Sequence, residues 1–172
     1  MTELRTPRLV LRTPTRADAP SYVLGVGEYA VARHLTGLPY PYSLAMAIDW
    51  LGQSGDASPE RAVLVVELPG KGVIGGVSLL DELGFWIARP FWNRGYATEA
   101  AAGLIDWHFA GCTAPHVRAS AHHDNFASLA VQAKLGFRSC GREKRFSHAL
   151  QHNVDHVVTM LDRGSWHERK AG

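Results

Sequence analysis

The run Trp92-Asn93-Arg94-Gly95-Tyr96-Ala97-Thr98-Glu99-Ala100-Ala101 constrains this chain more than any other stretch, because it joins a glycine turn directly to a helix start. A glycine there lets main chain approach a ligand without Cβ interference. The first N–H groups of the helix then converge on an anion at the positive end of the dipole. The expected donors are the amides of Arg94, Gly95, Tyr96, Ala97 and Thr98, which points to a phosphate-bearing ligand. Two phosphate motifs are excluded by spacing. No Gly-Lys-Ser/Thr tripeptide opens a helix, so a nucleoside triphosphate P-loop is absent. Gly72, Gly75 and Gly76 sit inside an apolar, strand-like run and introduce no helix, so the dinucleotide fingerprint also fails. They are expected to be strand bends.

Coarse periodicity gives a mixed α+β order. Arg8 to Arg12 alternates like a strand, and Thr15 to Asp18 opens a helix. Asp49 to Leu51 belongs to a second helix. Arg61 to Leu68 and Val73 to Leu80 are β-rich runs joined by the hairpin signal Pro69-Gly70-Lys71-Gly72, and Leu83 to Ala88 is a further strand. The glycine-opened helix runs from Ala97 to about Ala110 and places His108 on its packed face. Val117 to Ala121 is a strand, Asn125 an N-cap and Gly136 a helix-closing residue, with a last hairpin from Arg142 to His148 and Val154 to Leu161.

Several features resemble the GNAT acetyltransferases. The family's pyrophosphate loop, Gln/Arg-x-x-G-x-G/A, falls on Trp92 to Ala97; Gly95 and Ala97 fit, and Trp92 replaces Gln/Arg as in the branch of ribosomal-protein alanine acetyltransferases. Thr6 to Arg12 with Ala17-Asp18-Ala19 is similar to that branch's opening, Glu82 to Ile87 to the strand before the loop, and Asn125 to Ser128 with Lys134 to Phe137 to the helix after the fifth strand. The resemblance implies the GNAT fold, a mixed central sheet flanked by helices with splayed central strands. It implies acetyl coenzyme A as acetyl donor and a primary amine, on a small molecule or a protein N-terminus, as acceptor. The pantetheine arm would lie between Leu83–Ala88 and Val117–Ala121, touching Phe85, Trp86 and Ile87, with an N–H near Ile87 polarising the thioester carbonyl. Asn125 would contact the cofactor as well as cap its helix.

A free α-amine or lysine is mostly protonated at neutral pH, so acyl transfer needs a base. Glu82 matches the branch's acidic position, and neighbouring Asp81 would face the opposite way on a regular strand. His122 and His123 are rivals. The tyrosine that many members use as acid is replaced by Gln132, and Ser128 matches the serine assigned to that role in the branch. A thiol leaving group, with pKa ~8.5, departs near neutral pH with little help. No covalent enzyme intermediate is required. The competing reading is a degenerate acyl coenzyme A sensor without turnover.

Length and charge agree with one catalytic domain over residues 1–172. The chain is 46% hydrophobic and no low-complexity linker divides it. A formal net charge of +2, with Lys and Arg scattered, argues against nucleic acid and against steering a polycation. The sequence carries no charged-then-apolar leader and no membrane-length apolar run, so a cytoplasmic monomer or homodimer is expected. Cys112 and Cys140 lack metal spacing and are expected to be small buried groups. His148, His152 and His156 recur every four residues, but the hairpin around them would scatter the rings, so no metal is expected. The acceptor walls are expected at His34 to Tyr42, with Tyr40 and Tyr42, and at Phe146 to Asn153.

Overall fold

The computed structural model describes residues 1–171. In it the chain forms an eight-stranded sheet in the order β1-β2-β3-β4-β5-β6-β8-β7, with helices on both faces. The strands are β1 Glu3–Arg5, β2 Val10–Arg12, β3 Ala62–Leu68, β4 Gly72–Leu79, β5 Leu83–Ile87, β6 His116–His122, β7 Arg138–Ser147 and β8 His152–Asp162. The helices are α1 Ala19–Val26, α2 Tyr29–Ala32, α3 Leu44–Gln53, α4 Tyr96–Gly111, α5 Phe126–Leu135 and α6 Arg163–Ala171. Among the described residues no helix is long and apolar enough to cross a membrane.

Two apolar clusters hold the layers. The larger lies between the sheet and α4, where Ala101, Leu104, Ile105 and Phe109 meet Leu11, Leu64, Ile74 and Leu83. The smaller packs α1 and α3 on the other face through Tyr22, Val26, Ala47 and Leu51 against Val65. Burying each large aliphatic side chain contributes about 1.5–3 kcal/mol. His108 belongs to this packing, as expected: it is buried, with Nδ1 2.5 Å from the Pro59 carbonyl.

All pairings are antiparallel except one. β5 and β6 run parallel and share a single register pair, Leu83↔Ala119, beyond which they diverge. The split is local, because β4 pairs with β5 over five residues and β6 with β8 over seven. The splayed centre expected from the family resemblance is therefore present.

Three expectations are corrected. Gly75 and Gly76 lie in register with Ile87 and Trp86. A Cβ on Gly75 would stand 2.4 Å from the Trp86 carbonyl oxygen, and one on Gly76 2.6 Å from Trp86 Nε1. These glycines make room for Trp86, and the sheet irregularity falls beside them, where Val66 pairs with Gly75 and Glu67 with Val73. Cys140 is exposed on the edge strand β7, and Cys112 is half-buried. β1, α2 and α6 are additional elements whose shortness or polarity left no clear periodicity; α6 buries only Trp166.

Candidate active site

The loop before α4 forms because the chain reverses over a short distance. Pro90 sits in a 3-10 turn after β5, Asn93 has φ 59°, and Gly95 caps α4 at φ 78°, a conformation that disfavours any side chain. Trp92 fastens the loop to the strand by donating its indole N–H to the Ile87 carbonyl at 2.6 Å. The first helical bond is Glu99 N–H to Gly95 O, at 3.0 Å. Among the described residues, the N–H groups of Arg94, Gly95, Tyr96, Ala97 and Thr98 have no protein acceptor. Five adjacent donors are thus left without a protein partner.

Glu99, one turn in, would repel an anion if its charge were free. It is not. Its carboxylate accepts from Thr6 Oγ1 (2.7 Å), Arg8 N (2.7 Å) and Arg8 Nε (2.6 Å), and these partners hold its pKa below the usual carboxylate range against the opposing effect of burial, which is the largest single influence. Arg8 also donates to the Arg94 carbonyl at 2.9 Å and stacks 4.6 Å from the Tyr96 ring centroid. Arg8 is a loop-organising residue that the sequence showed only as part of a strand.

A cleft of about 780 Å³ runs from this loop through the β5/β6 split to His156 on β8. Phe85, Trp86, Ile87, Asn125 and Ser128 line it together with Arg94 to Thr98, so every residue assigned to the cofactor shares one cavity. The Ala88 N–H bonds the Ile74 carbonyl on β4 at 2.8 Å. Because main-chain groups alternate along a strand, the N–H groups of Ile87 and Phe85 face the opposite side, into the split where β6 has moved away. The Trp86 ring turns to the α1 face, 5.0 Å from Tyr22 in a T-shaped pair, so it meets the cleft as a packing residue.

Asn125 caps α5, its Oδ1 accepting from Ser128 N–H at 3.2 Å. Gln132 is buried and ties three elements together: its amide donates to the Ser120 carbonyl (3.3 Å) and Ser128 Oγ (3.4 Å), and it accepts from Thr159 Oγ1 (2.7 Å). The residue that stands where many family members have tyrosine is therefore a structural clamp.

Glu82 lines the other end of the cleft, held by a cluster of charged partners. Oε1 accepts from Arg118 Nε (2.8 Å) and Arg145 Nη2 (2.7 Å); Oε2 accepts from Ser120 Oγ (2.7 Å) and Arg145 Nη1 (2.9 Å). Glu143 joins the cluster through both arginines. The Arg145 hydrogen bonds, reinforced by Ser120 and Arg118 against burial, pull the Glu82 pKa down to about 2. Such a carboxylate is a weak proton acceptor at neutral pH. Asp81 is exposed in the preceding turn.

The expected rival histidines separate. His123 is exposed and outside the cleft lining, whereas His122 is 1% exposed at the end of β6. His122 meets His34 and His156, with ring centroids at 5.6 and 4.7 Å, and Thr36 Oγ1 lies between His122 Nε2 and His156 Nε2. Burial, with the neighbouring imidazoles, pushes the His122 pKa down to about 4; burial likewise lowers His34 and His156. His148, His152 and His156 are not brought together as a metal site: the donor cluster among the described residues is His34, His122 and Asp124. Of the segments expected to wall the acceptor, His34, Leu35 and Thr36 line the cleft, while Tyr40 packs on Tyr29 and Tyr42 on Tyr22 outside it; the hairpin contributes Arg145 and His156 to the lining in place of Phe146 to Asn153.

A sheet split between two parallel strands, with an anion-ready helix start closing one end of the gap, defines an acetyltransferase architecture. The chain belongs to the acetyltransferase (GNAT) domain family, whose pattern matches residues 8–138. It is 26% identical over 176 residues to the uncharacterized N-acetyltransferase p20 of Bacillus licheniformis, covering 95% of this chain and 98% of that one. The fold is shared with the ribosomal-protein-S5-alanine acetyltransferase from Vibrio fischeri at a TM-score of 0.81 and 18% identity, covering 96% and 99% of the two chains. It is shared also with Mycobacterium smegmatis RimJ in complex with CoA-disulfide, at 0.78 and 21%, covering 99% and 92%.

Proposed function

We propose that this protein is an acetyl coenzyme A-dependent N-acetyltransferase that passes the acetyl group to a primary amine by direct attack in a ternary complex. One observation carries the reading: the five free N–H groups at Arg94 to Thr98, the open edge of β5 at Phe85 and Ile87, and the cluster around Glu82 line a single continuous cleft. Pyrophosphate occupies the helix start, where Gly95 allows close approach and Arg8 neutralises Glu99. The two amides of pantetheine pair with the β5 edge as another strand would, beside Phe85, Trp86 and Asn125. The Ile87 N–H lies where it can stabilise the oxyanion of the attacked thioester. Ser128 sits at the same cleft and serves the departing thiolate.

Glu82 contributes to this reaction by holding Arg145 and Ser120 in place rather than by taking the proton. The acceptor enters beside His34, Thr36 and His156. The V. fischeri protein whose fold this chain shares is described as acting on a ribosomal-protein alanine, which favours an exposed α-amine as the acceptor. Thiol release from acetyl coenzyme A is the test, with an alanine-initiated peptide, glucosamine and spermidine offered as acceptors. Amine-dependent release, fastest with the peptide, is expected. Tight acetyl coenzyme A binding with no release from any amine would establish the sensor reading instead.

A further inference from the structure

The cleft end opposite the anion site contains a polar thread that the Glu82 cluster does not use. It begins at His156 on β8, which lines the cleft yet is 3% exposed. His156 Nε2 lies 3.0 Å from Thr36 Oγ1, and Thr36 Oγ1 lies 3.2 Å from His122 Nε2. Beyond His122, the polar atoms of His34, His122 and Asp124 all fall within 4.8 Å of one another, a gap that one water spans. The Asp124 side chain is 42% exposed and reaches solvent. The thread therefore runs from the buried cleft wall to the surface.

The chemistry of its centre allows a relay. A hydroxyl carries one hydrogen and two lone pairs, so Thr36 can donate to at most one of its two imidazole neighbours. Where it donates to one ring and accepts from the other, His122 and His156 are opposite tautomers. When Thr36 donates to His122, His156 gives its Nε2–H to Thr36 and holds a bare lone pair on Nδ1. That Nδ1 is buried and has no partner in the protein. An unpaired buried polar atom costs about 1–3 kcal/mol, a cost that a donor reaching it from the cleft that His156 lines would remove. An ammonium group is such a donor.

We infer that His156 is the proton acceptor for the incoming amine, and that Thr36 and His122 pass that proton out to solvent beside Asp124. This rests on the acetyltransferase reading. The ammonium proton moves to His156 Nδ1, the Nε2–H of His156 moves to Thr36 Oγ1, the Thr36 hydroxyl proton moves to His122 Nε2, and the Nδ1–H of His122 leaves to water. One proton enters and one leaves. The amine nitrogen then bonds to the thioester carbon, the C–S bond breaks, and the second amine proton ends on the thiolate to give coenzyme A thiol.

The surroundings favour a neutral ring at the start. His156 faces Arg145 and Glu143 on β7 and Glu82 ahead of β5; burial and Arg145 oppose its protonation while the two carboxylates favour it, and the balance lowers its pKa. His122 faces His156, His34, Arg33 and Asp124, of which only Asp124 favours its charge.

Thr36→Val removes the hydroxyl and keeps the shape, and Thr36→Ser restores it. With the alanine-initiated peptide as acceptor, Thr36→Val should lower kcat about 10-fold and His156→Gln about 100-fold, with Thr36→Ser within about 3-fold of wild type. Acetyl coenzyme A affinity, measured by calorimetry, should change less than about 2-fold in all three. The kcat of His156→Gln should climb with pH toward the amine's own pKa, where wild type is already level. Long-range ¹H–¹⁵N spectra of the free protein should place the His156 proton on Nε2 and the His122 proton on Nδ1, an arrangement lost in Thr36→Val. Normal turnover and pH profile in Thr36→Val, or the same tautomer at both rings, would overturn the relay while leaving the acetyltransferase reading intact. No thiol release by wild type with peptide, glucosamine or spermidine would overturn that reading itself, and the relay with it.

Discussion

The two ends of the cleft are built on different principles. The Arg94–Thr98 end presents consecutive main-chain N–H groups from one turn and one helix. The far end presents side chains gathered from α2 and the segment after it, from β6, β7 and β8, and from the turn before β5. The first kind of site is written in contiguous residues. The second exists only once the sheet has brought Glu82, Ser120, Arg145, Thr36 and His156 together, with sequence separations of up to 120 residues. Main-chain sites tolerate side-chain change as long as the turn survives, whereas side-chain clusters lose several contacts with each substitution.

The sharpest way to break this comparison is at Glu82. Its carboxylate accepts four hydrogen bonds from three partners, so Glu82→Gln leaves two arginines with incomplete neutralisation in a partly buried site. We expect a loss of roughly 2–3 kcal/mol in unfolding free energy together with reduced turnover. A base with no structural duty would lose turnover alone. Urea titration of the variant distinguishes the two.

A somewhat smaller effect is expected from pH. The folded pKa of His122, about 4, lies below its ordinary value of 6.5, so the unfolded chain takes up protons first. Stability is then complete above pH 6.5 and falls as pH drops toward 4, with His34 and His156 adding in the same direction. Roughly 2 kcal/mol should disappear between pH 7 and pH 5 from His122 alone. Glu82, whose pKa is lowered from 4.5 to about 2, adds its own loss only below about pH 4.5. Urea midpoints at pH 7, 6 and 5 check this, and His122→Gln should show a shallower slope.

The smallest effect sharpens the main-chain side. Arg8→Gln frees the Glu99 charge close to the anion site but leaves all five N–H donors in place. Acetyl coenzyme A affinity should fall only about 2- to 5-fold, in keeping with about 0.5–1 kcal/mol for a partly exposed ion pair. The loss should diminish as salt is raised.

The same division explains what the sequence disclosed. The glycine-opened helix, the Asn125 cap, the Gly136 terminus at φ 94° and the β3–β4 hairpin each depend on residues within a few positions, and each was legible. Glu82 was legible as an acidic residue just ahead of a strand, but its two arginine partners lie 36 and 63 residues away, and nothing in their local sequence marks them. Thr36 is similar: a lone threonine in an irregular segment gains meaning only between His122 and His156. Arg8 carried a weak signal, standing in an opening segment similar to that of the ribosomal-protein branch. Gly75 and Gly76, expected as bends, do lie beside the sheet irregularity, but their second reason was not legible: a Cβ would meet the Trp86 carbonyl and Ile87 at Gly75 and the Trp86 ring at Gly76, both on the neighbouring strand.

The central claim is that cofactor affinity resides in the main chain at the start of α4. Calorimetry of acetyl coenzyme A binding to Gly95→Val and Glu82→Gln, side by side, tests it. Gly95 has φ 78°, where a branched side chain is strained by about 1–3 kcal/mol and would displace the donor array. The account predicts that folded Gly95→Val loses about 10- to 100-fold in affinity while Glu82→Gln stays within about 2-fold of wild type. A folded Gly95→Val protein that binds acetyl coenzyme A as tightly as wild type would contradict it.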